Sequence, residues 1–289
     1  MTSENPLATQ LLELALAIST QAGNLLMARP ENFDLNQKSS ARDFATHMDH
    51  ASEKLIVESI LAARPDDGII GEEGSDRPSK SGISWVIDPI DGTVNYFYGL
   101  PGWNVSIAAK DSEGVLVGVV NAPTLSAQWH AVRAGGAFLN GKPIRCNEPV
   151  EMQEALLGTG FSYNSEQRER QAQFFLEIVA DIRDIRRTGG AAVDLCCVAT
   201  GWTDGYFERD LHEWDLAAGG LIAREAGAVV SGRNGGEAGF EMTICAGPTL
   251  HAALAARLAR RLHRGTTRAR RGLEGRDEIG RRLEVELGR

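Results

Sequence analysis

The stretch Trp85-Val86-Ile87-Asp88-Pro89-Ile90-Asp91-Gly92-Thr93-Val94-Asn95 reads as a buried strand that runs into two acids and a Gly-Thr step. Proline fixes the turn between Asp88 and Asp91, three positions apart, so both carboxylates can face one point. At about 4 Å and an effective dielectric near 20, such a pair repels by about 4 kcal/mol. A cation between them removes that cost. Hard oxygen ligands with no His or Cys nearby suit magnesium or another oxygen-seeking divalent ion. Gly92-Thr93 follows where a helix should begin, and the exposed N–H groups and dipole of a helix start favour an anion. A cation site abutting an anion site suits a phosphate ester. The plainer alternative makes Asp91 a helix cap and Asp88 a partner of lysine, but a cap needs only one acid.

Upstream, Asn5-Pro6 offers a cap and a first helical position, and Leu11, Leu12, Ala15, Ile18, Ala22, Leu25 and Leu26 recur at helical spacing. A helix is expected from there to about Pro30, and a second from about Asp49 to Arg64, ahead of Pro65-Asp66-Asp67-Gly68. Ile83 to Asp88, Val105 to Lys110, Val115 to Asn121 and Gln128 to Arg133 are short β-branched and aromatic runs separated by turn residues. The helix pair should therefore cover one face of an antiparallel sheet. Further on, helices are expected near Ser165–Asp181, Ala191–Thr200, Asp215–Gly227 and from Pro248 to about His263. Short strands should lie near Gly205–Glu208, Ala228–Ser231 and Met242–Ala246. Residues 1–264 read as one structural unit with two layered subdomains, about 1–145 and 150–264, meeting near Cys146–Glu154. Residues 265–289 form an Arg-rich tail poor in apolar anchors, expected to be disordered.

Two other acidic segments stand at the edges of expected elements. Gly71-Glu72-Glu73-Gly74 presents a glutamate at the end of the apolar pair Ile69-Ile70, with glycines allowing a sharp turn. Taken alone, it is an ordinary solvated turn. Glu208-Arg209-Asp210-Leu211-His212-Glu213-Trp214-Asp215 precedes a small-residue run, so Asp215 could be an N-cap and no more. His212 has no second histidine at ligand spacing and reads as a surface or pocket-rim residue.

The composition of the 289 residues narrows the function classes. No run reaches the roughly 18 apolar residues of a membrane helix, and the N-terminus lacks a basic flank and cleavage site, so a cytoplasmic location is expected. Cys146, Cys196, Cys197 and Cys245 are then free thiols, and their spacing does not close a zinc site. The net charge is -9, but residues 256–289 hold 11 arginines against 5 acids, so residues 1–255 carry -15. An acidic body argues against nucleic-acid binding by the folded part; its clustered carboxylates either keep the chain soluble, which accounts for most of them, or hold cations.

Together, Gly71-Glu72-Glu73, Asp88 through Asn95 and Trp214-Asp215-Leu216-Ala217-Ala218-Gly219 resemble, in order and spacing, the motifs of the inositol monophosphatase family. The resemblance extends from about residue 10 to 262, including Lys38-Ser39-Ser40 with Asp43 and Asp49, and Gly189-Gly190-Ala191-Ala192 with Leu195-Cys196. It implies an α/β (α+β) layered αβαβα sandwich of the inositol monophosphatase and sugar phosphatase type, a homodimer, magnesium dependence and lithium sensitivity. By that resemblance, Glu72, Asp88 and the carbonyl of Ile90 are similar to the ligands of a first magnesium, and Asp88, Asp91 and Asp215 to those of a second. Glu72 would reach a third, giving two to three ions per site. Thr93, bonded to Asp49, resembles the pair that orients and helps deprotonate the attacking water, with Gly92 and Thr93 N–H groups holding the phosphate.

Relatives acting on histidinol phosphate, fructose 1,6-bisphosphate or 3'-phosphoadenosine 5'-phosphate share the metal motifs. Tyr206-Phe207-Glu208 looks like the inositol branch, in which the matching glutamate bonds a ring hydroxyl, and Gly189, Gly190 and Ala191 resemble the backbone along the sugar alcohol. Gly190 departs from that pattern, where a hydroxyl-bearing residue is common. Glu213 before Trp214 also occurs in nucleotide-bisphosphate relatives. The expected function is hydrolysis of inositol 1-phosphate to inositol and phosphate by metal-activated water, with histidinol-phosphate or fructose 1,6-bisphosphate phosphatase as alternatives. A bacterial relative with a regulatory role in transcription suggests another class, in which the basic tail binds RNA or an acidic protein.

Overall fold

Asn5 caps the first helix by accepting from the N–H groups of Leu7 and Ala8 at 3.1 and 3.3 Å, and Pro6 takes the first helical position, where no donor is required. The computed structural model describes residues 5–40 and 43–259. Helix α1 (Pro6–Met27) leads into a hairpin of β1 (Leu35–Ser40) and β2 (Asp43–Thr46), then α2 (His47–Ala63). Leu11, Ala15, Ile18, Ala22 and Leu26 of α1 and Ile56 and Ile60 of α2 are buried against the same core. The second helix starts earlier than the sequence suggests, because Thr46 is its cap and Asp49 lies in its first turn.

A seven-stranded sheet follows, ordered β3 (Gly68–Gly71), β4 (Ser84–Asp91), β5 (Asn104–Asp111), β6 (Gly114–Ala122), β7 (Ala127–Val132), β8 (Gly136–Leu139) and β9 (Lys142–Pro143). It is antiparallel except for β3, which runs parallel to β4. The short helix α3 (Thr93–Tyr98) leaves the end of β4. Alternation along β4 and β5 sorts side chains to two cores: Trp85, Ile87, Val105 and Ile107 face α1 and α2, whereas Val86 and Ala108 face the opposite layer. The helix pair covers one face of the sheet, as expected, and helices from the second half of the chain lie on the other. Both faces are apolar, so both must be covered.

The remaining elements are β10 (Leu156–Thr159), α4 (Ser165–Ile178), β11 (Asp184–Arg186), α5 (Ala191–Thr200), β12 (Gly205–Glu208), α6 (Glu213–Glu225), β13 (Val229–Ser231), β14 (Thr243–Ala246) and α7 (Pro248–Ala259). Their strands form a mixed sheet in the order β11-β10-β12-β14-β13, with β10 parallel to both β11 and β12. Strands β10 and β11 were not expected from sequence, nor was the β1–β2 hairpin. Helices α5 and α6 are packed between the two sheets, and a third core joins the second sheet to α4 and α7. The result is the layered αβαβα sandwich, α1/α2 and α4/α7 outermost. Close approach in the middle depends on missing side chains: a Cβ on Gly118 of β6 would lie 2.9 Å from the Ala218 backbone, and one on Gly219 2.9 Å from the Ala192 carbonyl. Cys146, Cys196, Cys197 and Cys245 are free. Among the described residues, no helix is long and apolar enough to cross a membrane. The Arg-rich stretch 265–289 lies outside the described residues.

Candidate active site

Strand β4 does not turn at Pro89, contrary to the sequence reading. It continues to Asp91 with a bulge against β5 between Asp88 and Asp91. The bulge re-aims the acids that strict alternation would place on opposite faces. Asp88 Oδ1 accepts the Ile90 N–H at 3.0 Å across the proline. Asp91 pairs in register with Asn104, whose Nδ2 donates to Asp91 Oδ2 at 2.7 Å. The same carboxylate accepts from the Ala191 and Ala192 N–H groups at 3.0 and 2.9 Å, so it caps α5 from another part of the chain.

Asp215 was weighed as an N-cap of α6; the cap is His212, and Asp215 lies in the first turn. Its Oδ2 reaches back to accept the His212 N–H at 2.6 Å. Asp88, Asp91 and Asp215 each place a carboxylate oxygen so that all three lie within 4.8 Å of one another. Burial raises all three carboxyls, Asp88 and Asp215 well above the usual range, because desolvation opposes charge and, for Asp88 and Asp215, repulsion by the neighbouring carboxylates adds to it. Hydrogen bonds from Asn104, Ala191 and Ala192 partly offset this for Asp91. Such a group is unfavourable as bare carboxylates and suited to a cation held by oxygen ligands.

The triad opens into a cleft of about 550 Å³ that Glu72, Ile90, Gly92, Thr93, Gly189, Gly190, Ala191 and Glu208 also line. Glu72 follows β3 and stands beside Asp88, but its Oε1 is paired with Lys38 Nζ at 2.8 Å. Thr93 Oγ1 lies 3.1 Å from both Asp49 Oδ1 and the Ile90 carbonyl. Asp49 is wholly buried; its other oxygen accepts from Thr46 N and Oγ1, each at 2.7 Å. Desolvation pushes the Asp49 carboxyl up to about 6 against those bonds. Gly92 adopts φ 88°, and a Cβ there would press on the Gly189 carbonyl at 3.2 Å, so glycine is required where two segments meet.

Glu208 closes the far wall. Its Oε2 accepts from the Tyr206 hydroxyl at 2.5 Å, and burial pushes it up to about 7. A Cβ at Gly160 would fall 2.0 Å from both Glu208 oxygens. Of the expected alcohol contacts, Gly189 and Gly190 line the cleft, while the Ala191 N–H is already taken by Asp91. His212 stacks on Trp214 at 4.9 Å at the rim and is not part of the acidic triad. Three participants were not singled out from sequence: Asn104, Arg187 and Asp194. Asp194 is buried beside the cleft, its carboxyl raised well above the usual range by desolvation. A lone acid within Ala191–Thr200, otherwise built of small and apolar residues, was the available signal.

The five-layer α/β sandwich thus places a buried acidic centre, suited to a cation held by oxygen ligands, beside an open cleft. The profile of the inositol monophosphatase family matches residues 7–270, and the chain belongs to that family. It is 40% identical over 235 residues to the inositol-1-monophosphatase of Mycobacterium leprae, covering 77% of this chain and 80% of the relative. It is 41% identical over 225 residues to the Nus factor SuhB of Haemophilus influenzae, with 76% and 84% covered. Among solved structures, the extragenic suppressor protein suhB of Bartonella henselae superposes with a TM-score of 0.83 at 29% identity, covering 88% of this chain and all of that one.

Proposed function

We propose that this protein is a magnesium-dependent phosphomonoesterase that hydrolyses inositol 1-phosphate to inositol and phosphate. The convergence of Asp88, Asp91 and Asp215 at the floor of a cleft carries the reading. Their oxygens, with Glu72 and the Ile90 carbonyl, would hold the ions, and the absence of nitrogen and sulfur ligands from that set fits magnesium. An ion held by these residues would supply Lewis acidity toward the phosphoryl oxygens and the attacking water.

The chain's own groups do the rest. The Gly92 and Thr93 backbone, lining the cleft, receives the phosphate. Thr93 Oγ1 orients the water and passes a proton toward Asp49 Oδ1, whose ordinary carboxylate affinity burial has raised to a useful range. Glu208, fixed by Tyr206, offers a buried acceptor to a hydroxyl of the departing alcohol, with Gly189 and Gly190 along its side. No Ser, Cys or His is asked to form a phosphoenzyme. A homodimer, lithium inhibition and a cytoplasmic site of action accompany this reading. Histidinol phosphate and fructose 1,6-bisphosphate are the alternative substrates.

Phosphate release from these three esters, with and without magnesium, tests the proposal. Inositol 1-phosphate should give the highest kcat/KM, and Asp88→Asn should lower it by more than about 100-fold, beyond the usual effect of an outer-shell change. Full activity of Asp88→Asn would sink it. The name Nus factor SuhB of the Haemophilus influenzae relative favours a second reading, regulatory binding of RNA or an acidic protein through residues 265–289. The same variant separates the two, since a binding role through those residues survives loss of the carboxylate.

A further inference from the structure

Asp91 serves two parts of the fold with one carboxylate. It belongs to the acidic triad, and it caps α5 by accepting the Ala191 N–H at Oδ1 and the Ala192 N–H at Oδ2. A third donor comes from the sheet. Asn104, at the start of β5, stands opposite Asp91 across the bulge of β4, and its Nδ2 donates to Oδ2 at 2.7 Å while lying 3.5 Å from the Asp91 carbonyl. A one-residue slip in that register would turn the amide to the other face. Asn104 is wholly buried, and its own Oδ1 has no partner among the described residues. An amide with its oxygen stranded burdens the fold, so packing does not explain its presence. Its use is a charge-assisted bond to one carboxylate of the triad.

Gly190 completes the seat of that carboxylate from the side of α5, where it is the N-cap. A Cβ there would lie 2.7 Å from Asp91 Oδ2, 3.1 Å from Asp91 Cγ and 3.2 Å from Asn104 Nδ2. The first distance is too short for a non-bonded contact, so a side chain at 190 would displace the carboxylate or its donor. The direction matters as well. Although the Gly190 backbone lines the cleft, a side chain at this position would meet Asp91 and Asn104 before it met a bound alcohol.

We propose that Asn104 is a positioning residue for the metal centre, and that its amide and the bare Cα of Gly190 form a matched pair holding the Asp91 carboxylate in the orientation it presents to the triad. The two positions are therefore coupled. Enlarging 190 crowds carboxylate and amide together, whereas trimming 104 removes a donor and opens space beside Oδ2. This rests on the metal reading of the preceding section and assigns part of the ion affinity to a residue outside the acidic set.

Calorimetric titration of the full chain with Mn2+ tests it, with thermal melting in chelator to establish that each variant is folded. Asn104→Ala should weaken Mn2+ binding about 10- to 100-fold, the usual effect of removing a hydrogen-bond partner from a ligating group. Asn104→Leu, similar in volume but without a donor, should lose as much. Gly190→Ser alone should weaken binding at least about tenfold. Adding Asn104→Ala to Gly190→Ser should restore about threefold or more, because the opened space relieves the crowding and the introduced hydroxyl can donate to Oδ2. Unaltered affinity in either Asn104 variant overturns the proposal, as does a double variant that binds no tighter than Gly190→Ser. A further readout needs no variant: in the unaltered protein, the side-chain amide proton signals of Asn104 should shift in NMR spectra when Mg2+ is added, and signals that stay in place overturn the proposal. Mn2+ binding without ester hydrolysis would fault the substrate reading alone, whereas no Mn2+ binding by the unaltered protein would sink the metal reading and this one with it.

Discussion

Thr93 stands between a buried carboxylate and a main-chain carbonyl, each 3.1 Å from its hydroxyl oxygen. Its one proton can go to either acceptor, so it can serve as the relay between a water and Asp49. Thr93→Ala should lower kcat by about 100-fold or more, the usual contribution of a positioned proton-transfer group, while Thr93→Ser retains most of it. Calorimetric Mn2+ titration should find metal affinity unchanged in Thr93→Ala. Weakened metal binding would mean that the hydroxyl supports the ion ligands and not the proton path. At this scale much of the site was legible. Asp88 and Asp91 announced themselves because two acids so close in sequence are costly without a cation, and Asp215 and Glu72 followed from the motif order. Asn104 was not legible, because a single amide at the start of an apolar run looks like a strand boundary. Only the register opposite Asp91 gives it meaning.

Strand β6 and helix α6 meet where neither presents a side chain of any size. Gly118 lies on the strand face toward α6, and its neighbours at 2.9 Å are the backbone Cα and carbonyl of Ala218. Main chain cannot rotate aside as a side chain can. Gly118→Ala should therefore destabilise the fold by about 1–3 kcal/mol through overpacking, read from urea unfolding midpoints. The kcat/KM per folded molecule should change little unless α6 shifts and carries Asp215 with it. Unchanged stability would show that the layers can separate at little expense. Helices were readable because their apolar spacing is local: Ala191–Thr200 and the strand Gly205–Glu208 were expected at the bounds observed. Strands β10 and β11 escaped notice because each is very short and its partners lie tens of residues away. The bulge in β4 was read as a turn for a related reason. Proline breaks the pattern in either case, and only the partner strand decides which occurs.

Over the whole molecule, the acids of the cleft make stability depend on pH in an unusual direction. Asp49 and Glu208 move from 3.8 and 4.5 up to about 6 and about 7 on folding, and Asp88, Asp91 and Asp215 are raised as well. A carboxyl whose affinity for protons rises on folding favours the fold fully below its unfolded value, and that contribution disappears as pH climbs through the folded one. In chelator, the melting temperature should thus fall between about pH 5 and pH 8, and magnesium should raise it most at the alkaline end. Differential scanning fluorimetry across that range checks this; a melting temperature that climbs with pH in chelator contradicts it. The layering also bears on inheritance. Helices α5 and α6 are shared by both sheets, so we propose that neither half, about 1–145 or 150–264, is a heritable module. Cut between them and each fragment keeps a greasy, uncovered flank. Recombination during evolution would then have to pass the five layers on as one cassette.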